Sequence, residues 1–346
     1  MNFDIYLNDL EQRLDEQEEE AVFLSWKKYA DKAVKEGPFE PYLRKQSKPG
    51  VNWPKININD AIKDEDLMIL HQFAGVSDTL NNGGGLINWI RSSYGVGIIS
   101  SMFGAEIFIM PYEMNTSPNV RHLTEDAIKR LIDSDLPDFT NGFGKHVLSV
   151  GEKYMEIKQK YPKINKYIRI DHPDCQGPFD ICELLYGSDL FLDLIDKPDL
   201  IHILLRKITD FYKSFLQKWF TIVPLVDDYH TFFGVMHKGN ICIRNDSAMN
   251  ISPGFYEEFV YPYDYEVLKH FNGGAVHFCG RGDHYIKKMS EIDYLYHVDM
   301  SQPQYNDMNI IFENTIDKGL TLRAPKGEYL NSLSGGKQRL SGLYGV

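Results

Sequence analysis

From about residue 56 onward, short apolar runs alternate with longer stretches of helical periodicity, and no other feature of this 346-residue chain restricts its fold as much. Strand-like runs fall at 86–90, 107–109, 167–170, 239–243, 275–278, 296–298 and 320–322. Strands separated by helices cannot join through tight hairpins, so they imply parallel pairing with helical crossovers. The clearest helix begins at Pro198 and aligns Ile201, Leu204, Leu205, Ile208, Phe211, Phe215 and Trp219 on one stripe, with Asp196 positioned as its cap. Two further starts are Ser252 before Pro253 and Thr124 before Glu125 and Asp126, where a hydroxyl can accept from the first free amides. A (β/α)8 barrel takes a chain of this length as one domain. The expected architecture is an α/β barrel over residues 56–346.

Residues 1–55 form an expected N-terminal helical extension packed on that barrel. Leu7, Leu10, Leu14, Val22, Leu24 and Trp26 fall at helical spacing, and the acidic run from Asp15 to Glu20 reads as a solvated face. Pro38, Pro41, Pro49 and Pro54 then break any helix. Gly83, Gly84 and Gly85 read as a turn. A net charge of -12 and a pI near 5.4 oppose nucleic-acid binding, which needs clustered cations. No run approaches the roughly 20 apolar residues of a membrane span, and the acidic start lacks a signal-peptide layout, so the expected location is cytoplasmic. The four cysteines, Cys175, Cys182, Cys242 and Cys279, lack disulfide-scaffold spacing and are expected to be reduced. Neither a G-x-G-x-x-G fingerprint nor a Walker sequence occurs.

Polar clusters follow the apolar runs, as expected where reacting groups sit at the carboxyl ends of barrel strands. His277 and Cys279 lie two apart in a strand-like run, so alternation sends both side chains to one face. Imidazole and thiolate together suit zinc; the same spacing also fits a core histidine beside a buried cysteine. Arg281, between two glycines, offers a planar fork for a carboxylate or phosphate. Asp171, Asp174, Cys175 and Gln176 follow the 167–170 run and supply candidates for acid–base work or metal ligation, with loop polarity and helix capping as the alternative. Arg244 and Asp246 follow the 239–243 run, and Asp246 could bind a metal or steady His277. Gln302 and Arg323 fall after later strands and are assigned to the rim; Arg91, after an earlier run, is a substrate-binding candidate.

These segments resemble the uroporphyrinogen decarboxylase superfamily, which includes zinc-dependent methyltransferases that move methyl groups between corrinoid proteins and thiols. The resemblance covers most of the chain. It rests on Gln176-Gly177-Pro178-Phe179-Asp180 and Gly187, on Asp196-Lys197-Pro198-Asp199, on Ser252-Pro253 through Phe259 with Pro262-Tyr263, and on His277-Phe278-Cys279-Gly280 in that order. It implies a methyltransferase in which zinc at His277 and Cys279 activates a thiol toward a methyl group on a corrinoid partner protein. Arg244 and Arg281 would orient the thiol's anionic tail. The family's third zinc ligand is a later cysteine, and none follows Cys279; Asp246 or Cys175 is the expected substitute. The alternative is decarboxylation of a porphyrinogen in heme biosynthesis, with Arg91, Arg244, Arg281 and Arg323 as carboxylate-binding groups and Asp246 or Asp171 handling the proton. The Arg-Gln-Ala-Gly-Arg loop of the decarboxylase is absent, and no histidine follows His297. The resemblance also suggests a homodimer.

Overall fold

A computed structural model describes residues 3–332 and 336–345. Its strands are β1 (Asn88–Ile90), β2 (Glu106–Phe108), β3 (Asn119–Arg121), β4 (Ile168–Ile170), β5 (Tyr229–Phe232), β6 (Val235–Lys238), β7 (Ile241–Arg244), β8 (Gly274–Phe278), β9 (Leu295–Met300), β10 (Thr321–Ala324) and β11 (Leu343–Gly345). β7 to β11 form one parallel five-stranded sheet in chain order, and β1 pairs in parallel with β4. The fold is thus mixed α/β with parallel strands and helical crossovers.

Alternation within the sheet separates two chemistries. Ile243, Val276, Val298 and Leu322 lie in register on one face, each fully buried in the main core. On the other face the register is Arg244, His277, Asp299 and Arg323. In-register neighbours on parallel strands stand about 4.8 Å apart, so this second face carries a row of interacting polar groups.

Two strand runs take other forms. The run at 107–109 joins no parallel strand; β2 pairs antiparallel with β3 in a ribbon with exposed edges. Between β4 and β7 the chain makes an antiparallel hairpin, β5–β6, that the alternation of runs does not announce. Its two-residue turn is Phe233-Gly234, with φ at 49° and 76°. Phe232 packs with Cys242 and Ala275, so the hairpin lies against the polar face of the sheet rather than extending it.

The helix from Pro198 to Ile222 buries the whole predicted stripe. Its cap position is Lys197, and Asp196 instead ends the preceding helix, Leu190–Asp196. Proline at the first position supplies the starting geometry without a side-chain cap. Ser252 and Thr124 do cap their helices, accepting from Phe255 N at 3.2 Å and Ala127 N at 3.3 Å. The N-terminal helices are Asp4–Arg13 and Glu16–Ala30; Leu7, Leu10 and Leu14 enter the main core, Val22 and Trp26 pack in a second cluster with Val235 and Met236, and Leu24 stays exposed. The acidic run is not wholly solvated. Glu19 is buried and accepts from Arg44 Nη2 and from Asn88 Nδ2, each at 2.9 Å. All four cysteines are free thiols. No described helix is long and apolar enough to cross a membrane.

A Cβ added at Gly274, which opens β8, would stand 1.9 Å from the Ile241 carbonyl oxygen. Gly274→Ala is expected to cost about 3 kcal/mol by urea unfolding, because backbone on both sides must move. Gly254→Ala, whose Cβ meets only Ser252 Oγ at 3.8 Å, is the control and should change stability by less than about 0.5 kcal/mol.

Candidate metal centre

The polar row reaches solvent at the carboxyl end of β8. His277 donates from Nδ1 to Asp299 Oδ1 at 2.7 Å, which leaves Nε2 facing Cys279 Sγ at 3.5 Å and Asp246 Oδ1 at 3.7 Å. Asp246 also accepts from Cys279 N at 2.7 Å, so the loop after β7 and the end of β8 are tied together. One ligand atom each from Asp246, His277 and Cys279 lies within 4.8 Å of the others, and this is the sole such group among the described residues. The His277 side chain is 9% exposed and that of Asp246 is 40% exposed, so the set is held from beneath and open above.

Nitrogen, sulfur and oxygen donors with one open side match a catalytic zinc site of three protein ligands. The Asp299 contact supplies the outer partner that fixes a ligating histidine's tautomer and raises its basicity. Burial alone would pull His277 down, but the hydrogen bonds to Asp299 and Cys279 outweigh it and push the imidazole up to about 10. Burial would push Asp299 up; His277 and Arg323 prevail and hold it at about 2. Arg323 Nη1 lies 3.0 Å from both Asp299 oxygens. The same thiol–imidazole–carboxylate chain is also the layout of an activated nucleophile.

Below the loops sits a buried guanidinium cluster. Asp174 pairs with Arg244, and its second oxygen is 3.5 Å from Arg91 Nη2. Gln176 Nε2 donates to Asp174 at 2.6 Å. Burial raises the Asp174 carboxyl, but Arg244 and Arg91 outweigh it and keep it below the usual range. Arg244 lies over the Phe232 ring at 4.8 Å and Arg91 over Phe233 at 5.0 Å. Asp171 accepts from the Thr231 hydroxyl and is buried, and burial pushes its carboxyl up to about 7.

The sequence candidates separate accordingly. Asp246, His277 and Cys279 meet; Arg323 joins them through Asp299; Arg91, Arg244, Asp174 and Gln176 form the adjoining cluster. Gln302 accepts from Gly280 N and so shapes the loop after Cys279. Arg281 points outward, 61% exposed, and pairs with Asp283 at 2.7 Å. Cys175, the thiol expected as a possible third ligand, is instead buried in the main core and stands outside the donor group, because its loop turns it toward the helices.

Three contributors lie outside the sequence candidates. Asp299 is signalled only by its place at a strand end. Phe232, whose ring lies 5.0 Å from that of His277, comes from the unannounced hairpin. Asp180 accepts from the backbone amides of Asp246 at 2.8 Å and Ser247 at 2.9 Å and thereby aims Asp246. No protein-family model matches the chain, and a search of curated proteins finds no match.

Asp299→Asn should weaken zinc binding about 10- to 100-fold in a chelator competition, because the histidine loses its charged partner. A second expectation concerns Asp264, buried against Asn245 Nδ2 beside Asp246. Burial raises its carboxyl from 3.8 to about 7. A raised carboxyl contributes its stability below the ordinary value and loses it as pH rises through 7. Between pH 5 and 9 the wild type should therefore lose on the order of a few kcal/mol relative to Asp264→Asn in paired denaturation series.

Proposed function

We propose that this chain is an enzyme of the uroporphyrinogen decarboxylase superfamily, built on a closed (β/α)8 barrel, that methylates a thiol using a methyl group from a corrinoid partner protein. The single supporting observation is the convergence of Asp246, His277 and Cys279 above Asp299. These three residues would hold zinc, which when bound supplies Lewis acidity that favours thiolate over thiol. Asp299 keeps the Nδ1 proton of His277 in place and thus presents Nε2 outward. Asp180 holds the backbone amide of Asp246, and the Cys279 amide donates to its carboxylate. Arg244, with Arg281 at the rim, orients an anionic tail of the thiol. The acceptor would be the thiolate, its proton released to solvent, and the methyl donor would be the partner's corrinoid, which would keep the cobalt–carbon bonding pair.

Protein expressed in zinc-replete medium should carry one zinc per chain by elemental analysis, and His277→Ala and Cys279→Ala should lose it. With methylcobalamin as donor and 2-mercaptoethanol as acceptor, the loss of cobalt–methyl absorbance should slow at least about 100-fold in His277→Ala. Metal-free wild type that turns over as fast as the zinc-loaded protein, or His277→Ala that keeps the wild-type rate, would defeat the proposal.

A second reading has one specific observation behind it. Three guanidinium groups, Arg91, Arg244 and Arg323, face two ionised carboxylates, Asp174 and Asp299, which leaves a positive excess suited to a polycarboxylate. Asp171, with its raised carboxyl, could return a proton after decarboxylation. Coproporphyrinogen formed from uroporphyrinogen, without zinc, would favour this reading.

A further inference from the structure

A cavity of about 480 Å3 lies beside β4, and its lining includes none of Asp246, His277 and Cys279. Its size falls within the range of small-molecule sites. The walls are largely apolar, with Phe23, Ile87, Met155, Phe220, Val223 and Leu225. They come from the outer helices and from the loop before β5. Among the described strands β4 pairs only with β1.

The charges on these walls are unequal in their partners. Arg169 forms a bidentate pair with Asp227. Glu19 is held by Arg44 and Asn88, and Glu20 lies 3.8 Å from Lys166. Asp171 is hydrogen-bonded to Thr231, and its raised carboxyl leaves it largely protonated below about pH 7. His230 is kept neutral by burial. Lys158 is different. Its ammonium donates to the Ile168 carbonyl at 2.9 Å and pairs with no carboxylate among the described residues. Burial pulls it down to about 8, the mark of a cation without a counter-charge.

A half-buried ammonium with no carboxylate partner among the described residues, in a mainly apolar chamber, calls for one negative charge attached to an apolar body. We infer that this cavity binds a small monoanionic amphiphile, an aliphatic or aryl carboxylate, with its carboxylate on Lys158 and its apolar part against Phe23, Met155 and Phe220. Asn88 supports a further polar contact, since its buried Oδ1 lacks a donor and a ligand hydroxyl could provide one. The site is separate from the proposed metal centre and stands or falls independently of it.

Decanoate is the probe, measured by isothermal titration against the full-length protein. One decanoate per chain is expected, binding at least about tenfold more tightly than decanol, with decyltrimethylammonium excluded. Lys158→Met should weaken decanoate about tenfold while leaving decanol unchanged, and Lys158→Arg should restore most of the affinity. Zinc content should be the same in all three proteins. Absence of saturable decanoate binding, equal affinity for decanol, or decanoate affinity unaltered in Lys158→Met would overturn the inference. Should Lys158→Met fail to fold, the order of the three head groups on the wild type decides the matter alone.

Discussion

The in-register row Arg244, His277, Asp299 and Arg323 is the constraint on which the rest of the site depends. A parallel ladder puts these four side chains on one face and leaves them no freedom to drift apart. Slipping one strand by a single residue would move its member of the row into the apolar core and bring an aliphatic side chain to the polar face. The hydrophobic layer of Ile243, Val276, Val298 and Leu322 therefore sets the chemistry indirectly, because its burial forbids that slip.

The row also shows how buried charge is made tolerable. Its one anion, Asp299, stands between His277 and Arg323 and pairs with both, while Arg244 at the end of the row pairs with Asp174. Each removal would leave a partner unpaired in a low-dielectric interior, which costs more than the pair contributes. Against the same face the hairpin adds His237, whose ring stacks on that of His297 at 5.6 Å, while His230 stacks on His172 at 4.7 Å. Burial keeps these four imidazoles neutral, whereas the Asp299 carboxylate pushes that of His277 the other way.

Much of this was legible from the chain, and the remainder was not for definite reasons. Period-two alternation was enough to send His277 and Cys279 to one side, since that is local geometry. The parallel strands of the five-stranded sheet fell at or within a residue or two of their apolar runs, except β11, which follows a segment too short of apolar pattern to mark it. Asp299 required the register between β8 and β9, a long-range quantity that composition does not encode. The hairpin was hidden because its turn uses Phe233 at positive φ, where Asn or Gly would have announced it. Asp246 rather than Cys175 stands beside the pair because the 3-10 turn after β7 folds over β8, while the Asp174–Gln176 loop packs its thiol inward.

Glu19 gives the N-terminal segment a role beyond covering the sheet. Its carboxylate clasps Arg44 from the connecting stretch and Asn88 from the first parallel strand. Helix, linker and strand are thus stitched by one enclosed acid, and removing the two leading helices while keeping the linker would strand the Arg44 guanidinium in the dry interior. The leading helices are structural partners of the scaffold, joined to it by an electrostatic rivet, and not an appendage that engineering could trim away.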